Sequence, residues 1–266
     1  MVPRIRYCAT VTPARRLPAL LLAGAIGGLL SGAFGVGGGI VMVPLFIWLA
    51  GMDQRRAAAT SLVAILPTAI AGTIQYGVAG HVDWIAGLVI AAGGIVGSLI
   101  GTRLLRTLPI GWLRWLFIAL LVVVAVRLFF TVPVRGDEIG FGVPQIIGLV
   151  VLGVAMGIAS GLFGIGGGVI VVPVLIALFG ASDLVAKGTS LLAMIPTSLT
   201  GSIANVRNRM VDPLDGIVAG IAATAASFGG VALAYALPAQ LATILFGIFV
   251  LLVAAQLTWR AIRLSR

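Results

Sequence analysis

The sequence predicts an all-α polytopic membrane protein made of two inverted five-segment repeats, about ten membrane segments in all. Two of those segments are short and carry Gly-rich hairpin tips sunk below the membrane surface. Three observations predict this: long apolar stretches almost free of charge, a self-similarity at a fixed offset, and a one-sided placement of basic residues.

Of the 266 residues, 61% are hydrophobic and 9% charged. Several apolar stretches reach the roughly 20 residues that cross about 30 Å of hydrocarbon. A water-soluble core could not bury so many of them, and a helix is the element that closes its backbone hydrogen bonds within one segment in lipid. The net charge of +10 does not point to nucleic acid, because the basic residues sit between the apolar stretches rather than along one face with interleaved aromatics.

The second observation is duplication. Ser31-Gly-Ala-Phe-Gly-Val-Gly-Gly-Gly-Ile-Val-Met-Val-Pro44 returns as Ser160-Gly-Leu-Phe-Gly-Ile-Gly-Gly-Gly-Val-Ile-Val-Val-Pro173, an offset of 129 residues from Ser31 to Ser160. At that offset Thr60-Ser61-Leu62 matches Thr189-Ser190-Leu191, and Pro67-Thr68 matches Pro196-Thr197. Gly72, Asp83, Gly101 and Pro109 match Gly201, Asp212, Gly230 and Pro238 without a gap. Shared hydrophobicity alone would not hold Pro, Gly, Ser and Asp in register. The first repeat is expected over 17–131 and the second over 146–262.

Segments are expected at 17–34, 38–50, 57–79, 84–105 and 110–131, then at 146–163, 167–180, 186–205, 213–235 and 239–259. The first follows Arg4, Arg6, Arg15 and Arg16 and could pass for a secretory signal; its counterpart at 146–163 marks it instead as a retained helix. The second, 38–50, gives only about 20 Å of helix at 1.5 Å per residue. A sunken helical hairpin with a glycine tip accounts for it, with the tips of the two copies meeting near the midplane.

Five is odd, so if every segment crosses, the second copy enters the membrane upside down. Starting from a cytoplasmic N-terminus, alternation places Arg55, Arg56, Arg103, Arg106, Arg114, Arg207, Arg209, Arg260, Arg263 and Arg266 inside. Outside fall His81, Asp83, Arg135, Asp137, Glu138, Asp183 and Lys187. This obeys the positive-inside rule with both termini cytoplasmic. A scheme of eight full crossings, with segments two and seven re-entrant, exports Arg55 and Arg56.

The residues with chemistry to offer are the turns. Gly35, Gly37, Gly38 and Gly39, with Gly164, Gly166, Gly167 and Gly168, break one helix and start another. Bare amides and the positive dipole end at such a start form an anion site that needs no cationic side chain. Close helix packing is the competing use of the same glycines. Thr60, Ser61, Thr68, Thr189, Ser190 and Thr197 bring hydroxyls beside Pro67 and Pro196, whose missing N–H frees carbonyls; back-bonding to the preceding turn is the alternative. Asn205 and Gln75 are amides near segment ends that read first as packing residues, with Asn205 kept among the candidates. A valine at Gly38 or Gly167 is expected to abolish flux without preventing insertion.

Enzymatic chemistry has no constellation here. His81 is the only histidine and Cys8 the only cysteine, the glycine run lacks the Lys-Ser/Thr of a phosphate-binding loop, and no metal site or cofactor is implied. The seven carboxylates fall in loops or at segment ends, which leaves no acidic proton relay through the core.

The paired Ser-Gly-x-Phe-Gly-x-Gly-Gly-Gly stretches, each followed by a proline, a Thr-Ser-Leu and a Pro-Thr, resemble the TauE/SafE family of sulfite and organosulfonate permeases. The resemblance runs over nearly the whole chain after residue 17. It implies a bacterial inner-membrane permease for small sulfur oxyanions such as sulfite or sulfoacetate, most readily an exporter, since an anion leaves down an inside-negative potential. The expected partners are that oxyanion and membrane lipid, with a homo-oligomer left open. An anion channel using the same filter, and a membrane anchor or assembly factor without transport, are the competing functions.

Overall fold

The computed structural model describes residues 13–130 and 142–265. Arg4, Arg6, Cys8, the end of the first repeat at residue 131, the linker with Arg135, Asp137 and Glu138, and Arg266 lie outside the described residues. The chain forms α1 (Pro13–Phe34), α2 (Gly39–Leu49), α3 (Gln54–Val78), α4 (Trp84–Thr107), α5 (Ile110–Phe130), α6 (Val143–Phe163), α7 (Gly168–Phe179), α8 (Asp183–Arg207), α9 (Pro213–Ala236) and α10 (Ala239–Ser265). The expected segments are met to within a few residues, except that α1 begins earlier and α10 ends later. Five stretches, within α1, α3, α4, α6 and α9, are long and apolar enough to cross a membrane by length and composition.

Local chemistry explains several boundaries. Asp53 and Asp83 accept from the backbone N–H of Arg56 and Ala86, both at 2.9 Å, and so cap α3 and α4. Asp212 accepts from Leu214 N–H at 3.1 Å to cap α9, whose first residue is Pro213. Each such cap satisfies one of the amides a helix start leaves free. α2 and α7 span 11 and 12 residues, about 17 Å each, roughly half of a hydrocarbon core.

The helices line up by contact as α1, α9, α3, α8, α4, α6, with α2 against α1 and α3, α7 against α6 and α8, and α5 against α10. Glycines set the closest contacts. Gly24, Gly28 and Gly32 of α1 face Ala219, Ala223 and Ser227 of α9, so closely that a Cβ at each would overlap the facing carbonyl oxygen. On the other side of the molecule Gly153, Gly157 and Gly161 of α6 face Ile90, Gly94 and Ser98 of α4 in the same way. Every one of these pairs maps onto another when its numbers shift by 129. Small residues every fourth position let backbones approach where lipid supplies no hydrophobic drive.

The order of contacts gives direction. Contact positions rise together along α1 and α9, along α9 and α3, and along α4, α6 and α8, so each group runs parallel. α3 and α8 meet in opposite order, Leu62 against Gly201 and Gly72 against Leu191. One end of the bundle gathers the starts of α3 and α9 and the end of α4: Arg55 donates to the Leu108 carbonyl at 2.7 Å, and Arg56 pairs with Asp215 at 3.5 Å. The other end gathers His81, Asp83, Asp183 and Lys187, where Asp83 N–H donates to the Thr189 hydroxyl at 2.9 Å.

The outward faces are apolar, with Leu88, Val151, Ile221 and Leu252 each more than 60% exposed. Trp84, Trp112 and Trp259 stand exposed near helix ends, where amphipathic rings suit a membrane interface. A water-facing surface would not carry so much contiguous hydrocarbon.

Candidate functional site

The two glycine turns cross in the interior. Residues 35–39 run antiparallel to residues 164–168: Gly35 lies against Gly168, Gly37 against Gly166, and Gly39 against Gly164. Gly35, Gly37 and Gly38 have φ of 64°, 81° and 70°, and Gly164, Gly166 and Gly167 have φ of 70°, 78° and 84°. This left-handed backbone is open to glycine and strained for other residues, which is why each turn can end one helix and start another within five residues. Gly38 and Gly167 are the N-cap residues of α2 and α7, and neither start has a side-chain cap. All of residues 31–44 that form this crossing are buried, as are Gly164, Gly166, Gly167 and Gly168.

Reciprocal serines tie the crossing together. Ser61 of α3 donates to the Gly164 carbonyl at 2.6 Å, sharing its proton with the Ala58 carbonyl at 2.9 Å. Ser190 of α8 does the same to the Gly35 and Lys187 carbonyls, both at 2.7 Å. Each serine thereby satisfies a carbonyl that a helix end leaves open. Replacing Ser61 or Ser190 by alanine strands a buried carbonyl and is expected to cost about 1–3 kcal/mol of stability, nearly equal at the two sites. Thermal melting of the detergent-solubilised protein measures it, and a large difference between the two variants would contradict their equivalence.

The other predicted hydroxyls divide. Thr68 and Thr197 donate to the Ala64 and Ala193 carbonyls at 3.0 and 2.8 Å, the back-bonding use, and follow Pro67 and Pro196 inside α3 and α8. Thr189 accepts from Asp83 N–H. Thr60 is fully buried and its hydroxyl has no partner among the described residues; the same is true of both side-chain atoms of Asn205. Gln75 donates to the Ala71 carbonyl at 3.1 Å.

Three features were not legible as site features. Met194 is fully buried with its thioether beside Gly37, Gly166 and Gly168; with Ile65, its counterpart 129 residues earlier, it fills the space where the turns cross. Nothing marks a lone Met in an apolar run. Lys187, at the outer start of the expected segment 186–205, lies within α8, but with its side chain only 4% exposed and its ammonium 2.6 Å from Asp183. Its Cα and Cβ pack on Gly35. The first turn thus has the stem of a lysine beside it, while the second has Ala58 at the equivalent place. The signal was the spacing Asp183-x-x-x-Lys187, which puts both charges on one helical face.

The third feature concerns dipoles. The start of α2 lies beside the Gly164 carbonyl and the start of α7 beside the Gly35 carbonyl, so each positive helix end faces the negative end of a helix from the other copy. The turns are thus mutually compensated while they remain crossed. A Cβ at Gly38 would overlap the Gly27 carbonyl oxygen, and one at Gly167 would overlap Met156. Loss of flux in a valine variant there therefore reports disturbed packing as well as an altered site.

Known proteins place the chain. The family model described as "Sulfite exporter TauE/SafE" matches residues 3–128 and 149–266. A protein of Xylella fastidiosa (strain 9a5c) described as "Probable membrane transporter protein" is 29% identical over 246 residues, 90% of this chain and 93% of its own length. A protein with the same description from Xylella fastidiosa (strain Temecula1 / ATCC 700964) is 30% identical over 247 residues, with the same shares covered. "Probable membrane transporter protein YunE" of Bacillus subtilis (strain 168) is 28% identical over 211 residues, 70% of this chain and 77% of its own. No solved structure matches the chain. With nearly its whole length matched by that model, the chain belongs to the TauE/SafE sulfite exporter family of membrane proteins.

Proposed function

We propose that the protein is a secondary transporter or facilitator that exports a small oxyanion, sulfite or an organosulfonate, across the bacterial inner membrane. The two repeats, 17–131 and 146–262, lie inverted in the bilayer with both termini cytoplasmic, and substrate access alternates as the crossed glycine turns part toward one face and then the other. The reading rests on one observation above all: two uncapped half-helix starts, one from each copy, crossing in the buried centre at Gly37 and Gly166. When the turns separate, each helix start loses the carbonyl that compensates it and offers its amides to an oxyanion. The parallel grouping of α1, α3 and α9 against the opposite run of α8 supports the inverted arrangement, and the gathering of Arg55, Arg56 and the end of α4 at one pole supports a cytoplasmic assignment for that pole.

Export needs no coupling ion, because an inside-negative membrane favours the exit of a monoanion by about 2.3 kcal/mol per 100 mV. The proposed substrate contacts are the turns Gly35, Gly37, Gly38, Gly39, Gly164, Gly166, Gly167 and Gly168, with Thr60 and Asn205, the two polar side chains of the sequence-derived set that have no partner among the described residues.

Flux of labelled sulfite, sulfate, taurine and sulfoacetate in proteoliposomes, under potentials of both signs, tests the reading. A saturable flux that reverses with the potential and is stimulated by substrate on the opposite side is expected. Saturation without counterflow would favour a channel, and no substrate-dependent flux would leave the anchor reading. Cysteines introduced as Arg55→Cys and Arg207→Cys should label from the same side of the membrane; opposite sides would end the inverted topology.

A further inference from the structure

Across the shift of 129 residues, the ion pair Asp183–Lys187 corresponds to Gln54 and Ala58, which carry no charge. The packing around the two places is otherwise the same. Lys187 Cα lies against Gly35 as Ala58 Cα lies against Gly164, and the Lys187 and Ala58 carbonyls accept from Ser190 and Ser61, the serines that also hold those turns. The second copy adds charge to a contact that the first copy makes without it. Exchanging a buried ion pair for uncharged residues is often neutral or stabilising, because both ions have to be stripped of water. Stability of the crossing therefore does not account for Asp183 and Lys187. Their place does suggest a use. The lysine stem packs on Gly35, its ammonium stands 6.0 Å from the centre of the Phe34 ring, and the adjoining Gly188 packs on the His81 carbonyl and on Tyr76. The pair thus stands between the first turn and the pole that gathers His81 and Asp83, the outer pole in the transport reading above.

We propose that Lys187 is the substrate-binding cation of the outward-open state and Asp183 its tethered competitor: the oxyanion displaces the carboxylate from the ammonium as the turns part toward that pole, and the returning carboxylate expels it. The proposal rests on the transport reading. With the turns crossed, Asp183 holds the ammonium at 2.6 Å. Movement of the first turn disturbs this pair directly, because Gly35 lies on the lysine's own Cα, Cβ and Cγ. An ammonium offers three N–H donors and takes an oxyanion oxygen as readily as a carboxylate oxygen. A carboxylate one helical turn away on the same chain competes at a far higher effective concentration than a free anion does, so the oxyanion is held briefly and released. At the other pole Gln54 and Ala58 supply neither the cation nor the competitor. The device therefore works on one face of the protein and weakens binding from the side to which an exporter delivers its substrate.

The test measures sulfite flux in right-side-out and inside-out vesicles, with vesicles lacking the protein as the blank, and melts the full chain in detergent with sulfite or with chloride at matched ionic strength. The readout is the half-saturating sulfite concentration at the outer face divided by that at the inner face. Asp183→Asn removes the competitor and should lower this ratio about tenfold; the double variant Asp183→Gln with Lys187→Ala, which copies Gln54 and Ala58, should raise it about tenfold. The double variant keeps the test decisive if Asp183→Asn, with its uncompensated lysine, does not fold. In detergent, sulfite but not chloride should raise the melting temperature most in Asp183→Asn, less in the native protein and least in the double variant. A native ratio in the double variant, or equal sulfite stabilisation of Asp183→Asn and the double variant, makes the pair structural and leaves the transport reading standing. Native protein that carries no sulfite, yet melts in the expected order, overturns the transport reading and keeps Lys187 as an anion-binding residue.

Discussion

An alanine at Gly39 or at Gly168 should abolish oxyanion flux and destabilise the protein by roughly 3 kcal/mol or more, a fall in melting temperature of about 5 to 10 °C. Neither residue has the left-handed backbone of its neighbours, so the effect is not one of conformational preference. A single methyl group at Gly39 would overlap the Gly164 carbonyl and Cα of Ile165, and one at Gly168 would overlap the Gly35 carbonyl and the Met194 methyl. Backbone cannot yield as the end of a side chain can, and the two turns would be forced apart in the place where they cross. Gly111→Ala is the control: nothing lies within 4 Å of a Cβ there, and stability should stay within about 0.5 kcal/mol of native. If Gly39→Ala and Gly168→Ala both transport normally and melt with the native protein, the turns do not cross as described.

The other large effect is expected at the helix pairs. Gly28→Leu should drive α1 from α9, and Gly157→Leu should drive α6 from α4, because a Cβ at either position would overlap the facing carbonyl oxygen of Ala223 or Gly94. Lipid offers no hydrophobic penalty for separated helices, so association depends on close packing and loses it at once when a large side chain intrudes. Both variants should insert yet give little monodisperse protein by size-exclusion chromatography in detergent, and to a similar degree. A marked difference between them would mean that the copies contribute unequally to the fold, contrary to the matching of their contacts residue by residue.

The helical segments were legible because glycine, proline and charge punctuate long apolar stretches, and the physics of a bilayer admits few alternatives. The glycine turns were legible too, since Gly35 to Gly39 and Gly164 to Gly168 cannot continue a helix and recur at one offset. What Ser61 and Ser190 do was not. Sequence put each beside its own copy's motif, whereas each hydroxyl ties the turn of the other copy. That Lys187, at the outer end of its segment, lies buried was not legible either; its partner Asp183 and the covering Phe34 and Gly35 are what allow it. Pairs such as Gly28 with Ala223 are separated by about three quarters of the chain, and no local pattern indicates which small residue meets which.

By itself, then, the amino-acid sequence determined a helical membrane protein, its segment limits, its duplicated plan and the two places where backbone must turn inside the apolar interior. These depend on properties of single residues and their near neighbours: transfer of apolar surface from water, backbone freedom at glycine, and the cost of moving an arginine through lipid. Only the tertiary structure decided that the turns cross and that each helix start faces the other copy's helix end. Those outcomes depend on distances between groups more than one hundred residues apart, set by the packing of all ten described helices at once.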